Sequence, residues 1–392
     1  MGFRFKTIGL SLIASAALLA CGGGDDAVVA PVTPASTVAA GVSTTLAALG
    51  TPAAVTATNA TSTAFDVVAA IGDTWRVEFD TTNLVTRVTV LQTAYGLLTT
   101  ANAYTGNFTK VTSGSYTTYT LTGTGNATAT GTLVVDDRTK AASGNLTVGT
   151  KASTVAGTGY ATPALAKLAG TYNFAYSNRN AVNTGAGLFP EMGAGQFTIS
   201  ADGATVAICP GGIINAAATA CTPKMPNSPS VPEAGTLALA NGVVTVAGAI
   251  IGKLHVHVGD RGPVLIIDQY GANAQQIMRT GAFYAAKATT AAGTEFNGNW
   301  ACNGTNGVPT ATAVVTGTTA QITDQGATVA TTETLFYNQA YDRNTSTTLS
   351  LPGFLSMGQN LANSMIVLTL SSSLVVAESG NGTDLAVCHR TD

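Results

Sequence analysis

The chain has 392 residues, only 9% of them Asp, Glu, Lys or Arg, and a formal net charge of −3. A typical soluble chain is about 25% charged, so the solvated surface here must be built from Thr, Ser, Asn and Gly, of which Thr suits a half-exposed strand. No Lys/Arg cluster is present, which argues against nucleic acid as a partner.

Arg4 and Lys6 precede the uncharged segment Thr7 to Ala20, and the polar run Gly22 to Asp26 follows. A positive n-region, an apolar stretch and a small-residue cleavage site make a secretory signal, too short to span a bilayer. The tetrad Leu18, Leu19, Ala20, Cys21 resembles the lipobox of bacterial lipoproteins. That resemblance implies cleavage before Cys21 and fatty acylation of its thiol, palmitate included. Gly22, rather than an acid, follows the cysteine, and in that family this implies the outer membrane as destination. The membrane is then a partner through the anchor, since stable attachment takes more than one acyl chain. The alternative is an ordinary signal peptide with Cys21 free to join a disulfide.

Residues 21–65 are rich in Ala, Thr, Val, Gly, Ser and Pro and read as a lipidated N-terminus and flexible tether, with a marginal helix near Ser43 to Leu49. From Asp73 the pattern turns to strict alternation. In "WRVEF", Trp75, Val77 and Phe79 share one face, Arg76 and Glu78 the other, and "DTTN" turns the chain into a hairpin. "TYNFAYS" puts Tyr172, Phe174 and Tyr176 on one face, and Asp202-Gly203 and Asn241-Gly242 are hairpin dipeptides. The fold class is therefore all-β: tandem antiparallel meander units, small barrels or sandwiches, after a signal peptide and tether. No long amphipathic helix is expected.

"IGDTWRV", "LAGTYNF" and "FNGNWAC" each set a Gly shortly before an aromatic, and "SADGATV" and "TDQGATV" recur within their units. They divide the chain into β units at 66–163, 168–288 and 294–392, unless the matches are coincidences of a Gly/Thr-rich composition. "LAGTY" and "FNGNW" also resemble the Gly-x-Trp opening of lipocalins and fatty-acid-binding proteins, which implies barrels able to carry small apolar ligands. In a closed meander the first and last strands are neighbours, which would set Cys302 opposite Cys388. With Cys21 acylated, Cys209, Cys221, Cys302 and Cys388 remain, and three connectivities are possible. The preferred pairs are Cys209 with Cys221 and Cys302 with Cys388; free buried thiols are the alternative.

Chemistry is sparse. His255 and His257 in "HVH" share a strand face with Lys253, opposite Leu254, Val256 and Val258. They read as solvent-facing, and the adjacent cation opposes a metal, so neither metal nor cofactor is expected. "GFLSMGQ" around Ser356 lacks the spacing of a nucleophile elbow. Glu78, Asp268 and Glu333 are scattered, and no catalytic residue is assigned. Residues 209–235 carry five prolines, which exclude a central strand. With the preceding loop they suggest a binding surface at Leu188, Phe189, Pro223 and Pro226, against a plain solvated loop. The expectation is a non-enzymatic binding or structural module at the envelope; the rivals are a carrier of small apolar ligands and a hydrolase of envelope polymers.

Overall fold

Strands with one apolar face must bury it, and in a computed structural model each successive set of strands does so by curling onto itself. The structure describes residues 35–100, 103–181, 189–224, 229–272, 278–342, 346–378 and 384–392. Three closed, eight-stranded antiparallel barrels follow one another along the chain. The first begins with strand Ser62–Ala69 and ends with Lys151–Thr158, which pair to close it through Asp66 with Thr158 and Ala69 with Val155. In the second, Gly170–Ala181 pairs with Met278–Lys287. In the third, Gly298–Gly304 pairs with Leu385–Arg390. Closure leaves no free sheet edge in any barrel to recruit a foreign strand.

An eight-stranded barrel is just wide enough for side chains to fill it or for one small ligand to occupy it. The first barrel is filled. Phe79 stacks on Tyr119 with ring centroids 3.9 Å apart and meets Phe108 edge-on at 5.1 Å, and Trp75 is fully buried. The second is filled as well, with Tyr172 stacked on Phe197 at 5.1 Å and Phe174 on Phe283 at 5.0 Å.

The second barrel also receives the helix Ala35–Leu49. Val38, Val42, Thr45 and Leu49 recur at i, i+4, i+7 and i+11, all are buried, and the three apolar ones join that barrel's core. Gly41 sits so close to the hairpin beneath that a Cβ there would lie 2.0 Å from the Asp260 carbonyl oxygen. The segment read as a tether up to residue 65 is therefore folded from Ala35 onward. Val55 is buried, Ala54 bridges Tyr160, and Thr58 donates to Glu78 from both its backbone N (2.8 Å) and its hydroxyl (2.9 Å). The marginal helix expected near Ser43 to Leu49 thus begins at Ala35; β-branched Val and Thr weaken its intrinsic propensity, and docking on the barrel compensates.

The outer faces of the three barrels meet in one apolar cluster. Val68 and Ala156 come from the first, Val264, Ile266 and Tyr284 from the second, and Leu368, Leu370 and Leu385 from the third. These strands are buried on both faces, which is why "PVLII" and "MIVLTL" run almost continuously apolar. Polar contacts lock the same junction: Thr74 Oγ1 donates to Asp268 Oδ2 at 2.6 Å, Asn173 Nδ2 to the Pro352 carbonyl at 2.7 Å, and Arg261 Nη2 to the Thr369 carbonyl at 2.9 Å. Ser177 and Thr305, from the second and third barrels, both donate to Asp384. The Gly-aromatic matches are not all equivalent. Tyr172 and Trp300 stand on the opening strands of their barrels, whereas Trp75 stands on the second strand of the first, Asp73–Asp80. Likewise "SADGATV" turns between the second and third strands of its barrel, and "TDQGATV" between the third and fourth of the next.

The histidines are a correction. His255 and His257 do share a face, but that face packs against the first barrel, and their exposures are 4% and 0%. Alternation separates two faces without saying which of them a neighbouring barrel will cover. Burial pushes both imidazoles down to about 4, with Asp66, Lys253 and Arg76 the charges acting on His255 and Asp136 on His257. The fold thus prefers them neutral, and their contribution is complete above about pH 6.5 and lost as pH falls through 4. Asp268, raised to about 8 by burial, acts in the opposite sense, its contribution fading as pH rises toward 8. The difference between wild type and His257→Leu therefore isolates one histidine. In urea titrations the variant should gain on wild type by on the order of 3 kcal/mol between pH 7 and pH 4, and a pH-independent difference would contradict the burial of a neutral imidazole.

Candidate functional site: the interior of the third barrel

The third barrel is not filled. Its inward positions follow the two-residue period of each strand, as Ala311, Ala313 and Val315 on Pro309–Thr316 or Ala320, Ile322 and Asp324 on Thr319–Asp324. Ala377 and Ala386 add two more small side chains. Where the first two barrels set aromatic rings, this one sets alanines, and a cavity of about 470 Å³ remains, within the range of small-molecule sites.

One end of the cavity is plugged. Phe296, Trp300 and Tyr337 gather there, with Phe296 6.4 Å from Trp300 and 6.1 Å from Tyr337 between ring centroids. Trp300 Nε1 donates to the Phe296 carbonyl at 2.9 Å and Tyr337 Oη to the Gly317 carbonyl at 2.9 Å, so the rings' polar atoms are satisfied. Two guanidinium groups lie over the plug: Arg390 at 6.0 Å from the Trp300 ring and Arg261 at 5.0 Å from Phe296. Both distances suit cation–π attraction.

The second barrel carries the same device. Tyr172 Oη donates to the Leu168 carbonyl at 2.7 Å, four residues back as in Trp300, and Lys287 lies 4.3 Å over its ring. Lys287 pairs with Tyr172 and Arg390 with Trp300 across the closing seams. The glycine two residues before each aromatic now has a cause. Gly170 and Gly298 have φ of 120° and 140°, and a Cβ on either would come within 2.5 Å of the Lys287 ammonium or the Arg390 guanidinium. Only glycine lets the cation of the last strand cross the ring of the first. Burial lowers the Lys287 amine to about 8.

The other end of the cavity is open and acidic. Thr310, Asp324, Thr331, Glu333 and Glu378 line it together with Met357 and Met365. Glu378 Oε2 accepts a hydrogen bond from the Ile366 backbone at 3.3 Å, whereas Glu333 Oε2 is buried and has no partner. The wall between mouth and plug includes the disulfide Cys302–Cys388, whose two residues face each other across the seam with Cα atoms 4.0 Å apart. Joining strands 86 residues apart in sequence, it holds the barrel shut where the cavity lies.

Cys209 pairs with Cys221, so both disulfides take the connectivity preferred from sequence. Cys209 and Cys221 form a small buried cluster with Ile214, beside a two-stranded ribbon of Gly212–Ile214 and Cys221–Lys224. Pro223 lies in that ribbon, outside any barrel sheet, and the backbone of Phe189 pairs with Asn180. Cys21, Leu188 and Pro226 lie outside the described residues. Neither Phe189 nor Pro223 lines the cavity; the resemblance to lipocalins implied barrels able to hold a ligand, but not which barrel or which residues. Of the scattered carboxylates, Glu78 is bound by Thr58 and Asp268 by Thr74, while Glu333 reaches the cavity mouth. Ser356 is buried and donates to the Gln339 carbonyl at 2.8 Å. Among the described residues no cluster of His, Cys, Asp and Glu has the makings of a metal site, and no helix is long and apolar enough to cross a membrane.

No family model and no curated protein matches this chain. Among solved structures, that of a protein of unknown function from the DUF3598 family of Nostoc punctiforme aligns over 84% of this chain and 94% of its own, with 10% identity and a TM-score of 0.13. At that score the likeness is no guide to function.

Gly298→Ala should force Arg390 off the Trp300 ring and strain the backbone, costing about 1–3 kcal/mol in denaturant titrations. Trp300 emission, read in a Trp75→Phe background, should change with it, and an unaltered spectrum at unaltered stability would contradict the cation-over-ring arrangement.

Proposed function

We propose that the protein is a non-enzymatic binding module of the bacterial cell envelope, anchored through acylated Cys21, and that its third barrel receives one small, mainly apolar ligand. The observation behind this is the contrast among three barrels of one strand number. Two are packed with aromatic rings, and the third keeps a cavity of about 470 Å³ between an aromatic plug and an open mouth. An apolar occupant of this cavity would remove its largely apolar walls from water, which is favourable by about 25 cal/mol per Å² of apolar surface buried. The Gly-aromatic openings of the second and third barrels support a calycin-like carrier in particular, as that resemblance implied. The lipobox supports residence at the outer membrane, with the barrels displayed beyond the helix-docked N-terminus.

Two experiments test the two halves. Cys21→Ser should move the protein from the membrane fraction to the soluble one, and unchanged sedimentation with membranes would refute the anchor. The soluble variant should bind an apolar fluorophore such as an N-phenylnaphthylamine with one-site stoichiometry. Ala313→Trp, which places a ring in the cavity, should abolish that binding while leaving the circular dichroism of the barrels intact. Equal fluorophore binding by the filled variant would place the ligand elsewhere and sink the carrier assignment.

A further inference from the structure

Granting that the third barrel is a receptacle, its charge distribution names the ligand class. We infer that the ligand is a cationic amphiphile, an aliphatic or aromatic body bearing an ammonium or guanidinium head, bound body-first with the head at the Glu333 mouth.

Three observations carry this. The two ends of the cavity differ in charge: Asp324, Glu333 and Glu378 line the open one, whereas at the plugged end Arg390 is ion-paired with Asp392 at 2.9 Å and Arg261 is offset by Asp260 and Glu295. Among the described residues of this barrel Arg390 is the only Lys or Arg, and it lies at the plugged end. Second, Glu333 Oε2 is withdrawn from solvent and has no hydrogen-bond donor within the protein. A buried carboxylate oxygen left unpaired is costly, and a ligand N–H would supply the missing donor in a charge-assisted bond. Third, the cavity between these ends is apolar, lined by side chains such as Val315, Leu335, Leu355 and Val367. A body must therefore accompany the head, and a bare metal ion or small amine would leave most of the volume empty. Met357 and Met365 beside the acids add unbranched, polarizable thioethers that adapt to irregular ligand shapes.

The same arrangement rejects the opposite amphiphile. A fatty acid entering tail-first would set its carboxylate among three others, a like-charge juxtaposition that costs affinity. Entering head-first, it would drag its charge through the apolar interior to a plug whose guanidinium groups already lie over aromatic rings and bond to protein oxygens, Arg261 to Thr369 and Arg390 to Asp392.

The test compares three ligands with one tail, decylammonium, decanol and decanoate, each below its micelle concentration, by calorimetry and by displacement of the fluorophore from the Cys21→Ser protein. Decylammonium should bind about tenfold or more tightly than decanol, as one charge-assisted hydrogen bond allows, and decanoate more weakly than either. Glu333→Gln should remove most of the ammonium advantage, leave decanol unchanged and flatten the salt dependence of decylammonium binding. Decylammonium no better than decanol, decanoate equal or better, or an unmoved Glu333→Gln variant would each overturn the charge assignment. Those results would leave the apolar receptacle standing so long as the fluorophore still binds. If all three ligands and the fluorophore fail together, the receptacle itself falls.

Discussion

Closing eight antiparallel strands onto themselves sets one interior width, and every other feature of this molecule follows from how that width is used. The strand number, the meander order and the alternation are shared by all three barrels. Side-chain volume at the inward positions is not. Phe79, Phe108 and Tyr119 consume the first interior, and Tyr172, Phe174, Phe197 and Phe283 the second. Alanines at 311, 313, 320, 377 and 386 leave the third open. A difference of a few rings, at positions that look alike in pattern, separates a packed core from a receptacle.

The barrels also depend on one another. Strands such as Gly262–Ala272 are apolar on both faces because one face fills a barrel and the other meets its neighbours. The junction is sealed by a mixed cluster in which Ile266 and Leu368 exclude water while Asp268, His255 and His257 are held in their uncharged forms near neutrality by that exclusion. Such groups make the junction sensitive to pH from both sides. The third barrel is gripped through its closed end, where Arg261 reaches in from the second barrel to cover Phe296, so its mouth is the end left for a ligand.

The aromatic plug ties architecture to chemistry. Placing a last-strand cation over a first-strand ring requires glycine two residues before that ring, and at the closed end of the cavity that cation, Arg390, is already ion-paired with Asp392. At the other end Glu333 Oε2 is buried without a hydrogen-bond partner among the described residues. A purely apolar pocket would be indifferent to the orientation of an amphiphile. This one has a polarity along its axis, and Glu333, one of three scattered carboxylates when viewed along the chain, gains its meaning from that axis.

The all-β class was legible because it depends on local signals, two-residue alternation with Asp-Gly and Asn-Gly turns. The seam disulfide was legible too, since any closed meander makes its first and last strands adjacent, and Cys302 and Cys388 lie on those strands. The full extent of the helix and its docking, the burial of His255 and His257, and the empty interior of the third barrel were not. Each depends on what lies across a face rather than along a strand. Periodicity tells which residues share a side, but only the assembled barrels decide whether that side meets water, another barrel or a cavity.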